Sequence, residues 1–559
     1  MHAQHRIASR LPLDVGTCGA VKAQLRRVPC SLACLLTLVT IIGVAWALVI
    51  PPWQVTDESS HFAYVQTLAQ NGSLPSATHG RTYSSAQRSG AQIVGARVGS
   101  TDPATVPPNW SASAWQAYLS SVHRHPPSKS DGGGRNPASN PPLFYVYDAV
   151  PYLIDQGGTV FGQFYAMRIW AVLLLDLTTL GGWLLAGEVF GRRQSLQLVV
   201  GAICALMPMS TFISAAVNPD SLLIALWTLA LWLGARVIRR GARTSDTVAL
   251  CLVAACGILT KATSYGLVFP VFASFFAAWR LAPGAERAST LKRELKALPV
   301  LLIPVLAWLV VARAIGFDTV NQVVAVPARA HPVTVTGFLD YLWQFYLPRL
   351  PFMPVAKLGQ NVPASIVWNG GGVGMFGVAG VNLVALPSWV YGETALLAPF
   401  IAVGVLGVVT SPGTGRRRVQ LLAATAVASL VLRACGQVQF TASITAINVL
   451  AIIVISVMPI VRRRRLTERQ ALLWFLCSAV FGLLLLLHAT DYLIFARDHD
   501  PFMEGRYLLP IVGVFGLGVA LIVASLPVRL RPMFVGLIFA GLLGLQVVSL
   551  SAVLHAYYL

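Results

Sequence analysis

Two adjacent carboxylates and a histidine are the first residues in the chain whose types and spacing could do chemistry. They lie in Pro51-Pro52-Trp53-Gln54-Val55-Thr56-Asp57-Glu58-Ser59-Ser60-His61-Phe62, directly after a long apolar run. Ionisable groups beside a membrane surface are costly to hold, so a functional role competes with a plain water-facing helix. In a helix, Asp57 and His61 share a face at i and i+4, and Glu58 is turned about 100° away. One carboxylate can then act on a substrate while its neighbour holds a metal or a second hydroxyl. A carboxylate against apolar surface can serve as a general base.

Two cations could answer these acids. Lys261 stands in the tight turn Thr260-Lys261-Ala262-Thr263, and Arg506 in Glu504-Gly505-Arg506-Tyr507-Leu508-Leu509-Pro510. Arginine grips phosphate oxygens with two parallel N–H groups, and lysine binds them as a point charge. The plainer alternatives are that Lys261 snorkels to lipid headgroups and that Glu504 simply pairs with Arg506. Gly505 would let the backbone approach a ligand. In Asn218-Pro219-Asp220, Asp220 either lines a site or caps the helix that follows. Asn140-Pro141-Pro142-Leu143-Phe144-Tyr145 either touches substrate or packs at the interface.

The elements that must carry these residues follow from composition. The chain has 559 residues, 56% hydrophobic and 11% charged, with a mean hydropathy of +0.67. Soluble domains carry about 25% charged residues, so this is an all-α polytopic membrane protein. The net charge of +20 sits in short connectors: Arg192 and Arg193, Arg236 to Arg243, Lys292 to Lys296, Arg416 to Arg418, Arg462 to Arg465, and Arg529 with Arg531. That pattern marks cytoplasmic loops facing anionic lipid, not a nucleic-acid interface. The eight cysteines include no Cys-x-x-Cys pair, which implies neither a disulfide framework nor a zinc site. There is no Walker A loop, dinucleotide fingerprint or His-Glu-x-x-His, so no nucleotide cofactor is indicated.

Hydropathy places about 13 transmembrane helices. A basic cytoplasmic N-terminus (1–30) leads to an uncleaved first span at 31–50. A long polar loop at 51–163 follows, with amphipathic helices near 58–70 and 111–123 lying on the bilayer. Helices 2–7 occupy 164–316, a second loop 317–394, and helices 8–13 residues 395–559. Single spans fall near 165–190, 196–217, 221–238, 247–260, 264–281, 298–316, 395–411, 418–434, 441–461, 470–489, 507–527 and 533–554. With the N-terminus cytoplasmic, every basic connector falls on one side and both long loops on the other. The second loop carries Trp343, Phe345, Tyr346, Trp368, Trp389, Tyr391 and Gly370 to Gly372; aromatic faces there suit sugar rings or an interface.

An uncleaved first span, an acidic motif at the start of a long outer loop, Pro-Pro-Leu-x-Tyr, about a dozen spans and a late outer arginine together resemble the GT-C superfamily of integral-membrane glycosyltransferases. Protein O-mannosyltransferases and the aminoarabinose transferases of lipid A belong to it. The Asp-Glu, Asn-Pro-Asp and Glu-Gly-Arg-Tyr motifs look closest to a bacterial branch known only as multi-spanning proteins of unknown function. The resemblance implies transfer of a sugar from a polyprenyl-phosphate donor to an acceptor (glycan, lipid or protein) at the outer face of the plasma membrane, commonly with inversion. It implies Asp57 as general base, and Glu58 assisting or helping to hold a divalent cation, Mg or Mn. Lys261 and Arg506 would neutralise the donor phosphate. His61, Asn218 and Asp220 would line the site, together with Glu504 and Tyr507 beside Arg506. Asn140 stands where relatives carry other residues.

A transporter or flippase of lipid-linked sugars is the main rival, with a surface-polysaccharide polymerase behind it. Transporters place polar sites near the bilayer midplane and often carry internal repeats. Here the charges lie at the outer surface, and no repeat is visible.

Overall fold

The computed structural model describes residues 28–75, 82–96, 111–124, 128–133, 140–314, 333–354, 384–410, 440–462, 465–498 and 503–559, with scattered positions between 364 and 436. The first span is α1 (Cys30–Val49), and it stops where Pro51 and Pro52 deny the helix its next amide donors. Four helices follow in the first polar segment: α2 (Glu58–Asn71), α3 (Ser85–Ile93), α4 (Ala112–Arg124) and α5 (Leu143–Ile154). The amphipathic helices expected near 58–70 and 111–123 are therefore present. They differ in setting. Every residue of α2 from Glu58 to Thr67 is buried, so this helix is enclosed by protein rather than lying on a surface. The more open helix is α4, where Trp115 and Tyr118 rest on Phe161.

The bundle then runs through α6 (Val160–Phe190), α7 (Gln194–Leu206), α8 (Pro208–Ser214), α9 (Asp220–Arg240), α10 (Thr244–Ile258), α11 (Val268–Leu281) and α12 (Arg287–Ala314). Beyond lie α13 (Val335–Tyr346), α14 (Ser388–Thr410), α15 (Phe440–Val461), α16 (Glu468–Asp498), α17 (Val512–Ser525) and α18 (Arg531–Tyr558). Two 3₁₀ turns, Ala262–Leu267 and Gly505–Ile511, lead into α11 and α17. Among the described residues, the most enclosed span is α9, packed on α6, α10, α11 and α16. Small residues permit the closest approaches. A Cβ on Gly482 of α16 would meet the Gly266 carbonyl oxygen at 2.6 Å, so glycine here presses the turn after Lys261 onto α16.

Among the described residues, ten helices are long and apolar enough to cross a membrane, or eleven if one bent pair is a single span. Of the thirteen expected, 247–260 appears as the shorter apolar helix α10, and 418–434 lies largely outside the described residues. The bent pair is α7 with α8, turned by 60° at Pro208, which opens α8. A broken helix at membrane depth must satisfy its freed carbonyls within the protein. Here Thr211 Oγ1 donates to the Ala205 carbonyl (2.7 Å) and Gln546 Nε2 to the Leu206 carbonyl (2.9 Å), with Gln546 itself held by Trp46 Nε1 (2.6 Å).

Among the described residues, ion pairs draw three of the basic connectors together at one end of their helices. Arg240 pairs with Glu188 (2.5 Å), Arg239 with Glu468 (2.6 Å) and Arg236 with Asp246 (2.9 Å). The turns carrying Asn218, Lys261 and Arg506 lie at the opposite ends of those same helices, so the expected alternation of connectors holds along this part of the chain.

Candidate active site

The turn between α1 and α2 is built on strain and aromatic anchoring. Among the described residues, Trp53 (φ +61°) and Asp57 (φ +60°) are the non-glycine positions with left-handed backbone. That conformation is uncommon away from Gly, Asn and Asp, and persists when the surroundings enforce it, often at functional sites. The enforcement comes from Trp53, whose ring is buried against Phe62, Phe161 and Phe164 at centroid distances of 6.1, 5.7 and 5.4 Å.

Glu58 provides the second clamp. It is fully buried, with Arg168 of α6 donating through Nε to Oε1 (2.8 Å) and through Nη2 to Oε2 (2.6 Å). Val217 N–H also donates to Oε1 (3.1 Å). Arg168 further reaches the carbonyls of Ala47 (3.0 Å), Ile50 (2.5 Å) and Pro51 (3.1 Å). It thereby caps the end of α1 and fixes the acidic motif to it. Glu58 is thus turned inward, while the Asp57 side chain, 31% exposed, is open to solvent. Asp57 stands at the N-cap of α2 with left-handed backbone, outside the helix, so its direction is set by that turn and not by the helical step of about 100° expected from the sequence.

Around Asp57 the structure brings together the other expected residues from separate segments. Asn218 Nδ2 donates to the Thr56 carbonyl (3.3 Å), and Asn218 Oδ1 accepts the Asp220 N–H (3.0 Å). Asp220 Oδ1 accepts from Lys261 Nζ at 2.6 Å. Arg506 Nη2 lies 3.8 Å from Asp57 Oδ2, and its Nε 2.8 Å from Glu504 Oε2. Arg506 Nη2 also donates to the Tyr507 hydroxyl (3.1 Å). Both cations lie over the Tyr507 ring, Lys261 at 5.3 Å and Arg506 at 5.0 Å from its centroid.

His61 faces the same space. Its Nδ1 is 2.9 Å from the Tyr145 hydroxyl, to which Asn140 Nδ2 donates at 3.1 Å. Tyr145 stacks on Tyr64 with ring centroids 3.6 Å apart. Burial first, then the charges of Lys261 and Arg506, hold His61 well below its ordinary range, so it is neutral at pH 7 and supplies no cation. Burial likewise raises the Tyr145 phenol. Glu504 is raised by burial, opposed by Arg506 and reinforced by Asp57.

Beside the Arg506 turn an apolar cavity of about 940 Å³ opens between α13, α14, α15 and α16. Phe345 and Tyr346 of the second aromatic segment line it, and so do Met503, Leu508 and Ile511, which flank Arg506 in sequence. Trp368 and Gly370 to Gly372 lie outside the described residues. Sequence reasoning missed Arg168. The available signal was a lone guanidinium nine residues into an apolar helix, a position that demands a partner.

A model of the family described as "Predicted membrane protein (DUF2142)" matches residues 40–441. The chain belongs to this DUF2142 family. Curated proteins gave no match. The chain is similar to the Archaeoglobus fulgidus oligosaccharyltransferase solved with Zn and sulfate, at 12% identity and TM-score 0.41, over 93% of this chain and 53% of that one. It is also similar to AglB of the same organism, solved with an inhibitory peptide and a dolichol-phosphate, at 13% identity, TM-score 0.42, and 94% and 56% of the two chains. A third is ArnT from Cupriavidus metallidurans bound to undecaprenyl phosphate, at 13% identity, TM-score 0.34, and 88% and 76% coverage. This DUF2142 chain spans about half the length of the two oligosaccharyltransferase chains. The neighbours are GT-C glycosyltransferases, the superfamily that the sequence motifs resemble. At TM-scores of this size the likeness adds nothing to what the site itself supports.

Proposed function

We propose that this DUF2142 protein transfers a sugar from a polyprenyl-phosphate donor to an acceptor hydroxyl at the extracytoplasmic face of the plasma membrane. The observation that carries the reading is the approach of Arg506 to Asp57 at 3.8 Å, with Lys261 against the same Tyr507 ring. Asp57 takes the proton of the acceptor hydroxyl, whose oxygen attacks the anomeric carbon. The bond from that carbon to the phosphate oxygen breaks, and the electron pair leaves on the phosphate. Lys261 and Arg506 meet the charge as it develops. The isoprenoid chain of the donor occupies the 940 Å³ cavity, whose wall is continuous with the Arg506 turn. Glu58 and Arg168 position Asp57.

A divalent cation fits these residues poorly. Both Glu58 oxygens are taken by Arg168, one Asp220 oxygen is paired with Lys261 while the other is buried without a hydrogen-bond partner, and Asp57 and Glu504 both face Arg506. Among the described residues, no group of three His, Cys, Asp or Glu side chains could hold a metal ion. The two cationic side chains suit the role that a metal would take on the leaving phosphate, and turnover is expected to survive dialysis against EDTA. Loss of activity restored by added Mg or Mn would overturn this.

Glu504 sets a pH dependence. Its raised pKa means that the carboxylate is protonated, and Arg506 released, at a pH where a free glutamate is still ionised. Affinity for a polyprenyl phosphate therefore rises as pH falls through that pKa. In Glu504→Gln the rise disappears and affinity at pH 7 is already high. Calorimetric titration across pH 5–8 checks both, and an unchanged profile in the variant would exclude Glu504 as the group.

The function is tested by supplying the purified protein in proteoliposomes with polyprenyl-phosphate hexoses and pentoses and reading release of free polyprenyl phosphate. Release in the presence of an acceptor supports a transferase. Movement of the intact donor across the bilayer without cleavage makes the protein a transporter.

A further inference from the structure

At the wall of the apolar cavity, α16 carries a histidine and an aspartate that the transfer chemistry does not use. Asp491 is fully buried and His488 nearly so. A carboxylate is expensive to hold at such depth without donors. Its donors connect two parts of the molecule. Asp491 Oδ1 accepts the Met503 N–H at 3.0 Å, and Oδ2 accepts the Tyr341 O–H. The Tyr341 oxygen lies 3.2 Å from His488 Nδ1, and His488 Nε2 lies 2.7 Å from the Tyr346 hydroxyl. With Tyr341 donating to Asp491, the run closes in one direction: Tyr346 O–H to Nε2, Nδ1–H to Tyr341, and Tyr341 O–H to Asp491.

Tyr346, His488 and Met503 line the cavity. Met503 is followed at once by Glu504, Gly505 and Arg506. The flexible Gly505 cannot hold Arg506 in place by itself, and the backbone amide just before Glu504 is pinned by Asp491. We propose that Asp491 is a positioning residue for the donor site: it fixes the segment carrying Glu504 and Arg506 to the cavity wall, so that the seat of the lipid chain and the phosphate-binding cation form one unit. Tyr341 and His488 orient Asp491, and Tyr346 extends the run to the cavity surface. This rests on the reading that the donor phosphate is held by Arg506 and its chain by the cavity.

The test is a double-mutant cycle on the full-length protein in nanodiscs, with undecaprenyl phosphate as the titrant. Asp491→Ala is expected to weaken binding on the order of tenfold, the scale for releasing a charged group from its setting. In an Arg506→Ala background the same substitution is expected to change affinity by less than about twofold, because its effect travels through Arg506. Asp491→Asn keeps an oxygen for the Met503 N–H and restores most of the affinity. Should Asp491→Ala fail to fold, Tyr341→Phe removes one donor only and enters the same cycle. Equal losses in both backgrounds, or no loss in a folded Asp491→Ala protein, would overturn the positioning role. Failure of the donor reading looks different: Arg506→Ala alone would then leave binding unchanged, and the positioning role would fall with it.

Discussion

Asp57→Asn is expected to lower turnover by about 10²–10⁴-fold, the range for losing a positioned general base, while leaving the fold and the thermal unfolding curve unchanged. Three features separate chemistry from folding at this position. Asparagine has the same shape and tolerates the left-handed backbone that Asp57 adopts at φ +60°. The Asp57 side chain makes no cap hydrogen bond to α2, so the amide forfeits none. Its contact with Arg506 is a loose 3.8 Å, and Arg506 keeps Glu504 at 2.8 Å. The assay compares initial rates at saturating donor with differential scanning fluorimetry on the same preparation. Full turnover by a folded Asp57→Asn protein would remove the base assignment.

The largest effect on stability is expected at the buried pair. Arg168→Ala leaves the buried Glu58 carboxylate without its cationic partner and removes the guanidinium donors to the Ala47, Ile50 and Pro51 carbonyls. Breaking a buried pair from one side costs about 3–5 kcal/mol, a large share of the total stability of a typical domain. Glu58→Ala strands the guanidinium and costs a similar amount. Replacing both by neutral side chains of similar volume removes the two unpaired charges together, so the double variant is expected to lose much less than the sum of the singles. Equilibrium denaturation in detergent measures all three. A loss below about 1 kcal/mol for Arg168→Ala, no more than a surface pair is worth, would show that the pair is not what holds the acidic motif. Any surviving Arg168→Ala protein should also turn over slowly, since Asp57 takes its direction from the clamp behind it.

Much of the frame was legible because its signals are local. Apolar runs of membrane length mark the spans, and arginine and lysine mark one set of connectors. Asp57, Lys261 and Arg506 stood out because each breaks the pattern of its neighbourhood. Other features depend on partners far along the chain. Arg168 reads as one charge in an apolar run until Glu58, over a hundred residues earlier, is seen to need it. Pro208 signals a break, yet a single span at 196–217 satisfied hydropathy, and the 60° bend depends on Gln546 from α18 to satisfy the opened turn. His488 and Asp491 sit three residues apart in another apolar run, and their meaning lies in Tyr341 and Met503. The cavity has no sequence signature, because six separate segments make its walls. The burial of α2 was hidden for the same reason: its polar and apolar faces suggested a bilayer surface, and the residues covering it come from α5 and α6.

The central claim divides one site into a base and a phosphate seat. The most direct measurement is undecaprenyl phosphate affinity in nanodiscs for the unaltered protein, Asp57→Asn and Arg506→Ala, set beside the turnover of each. The account predicts that Asp57→Asn binds at least as tightly as the unaltered protein and turns over about 10²–10⁴-fold more slowly, whereas Arg506→Ala binds weakly, by tenfold or more for a lost charged contact. Indistinguishable affinities for all three proteins, or turnover by Asp57→Asn at the normal rate, would contradict it.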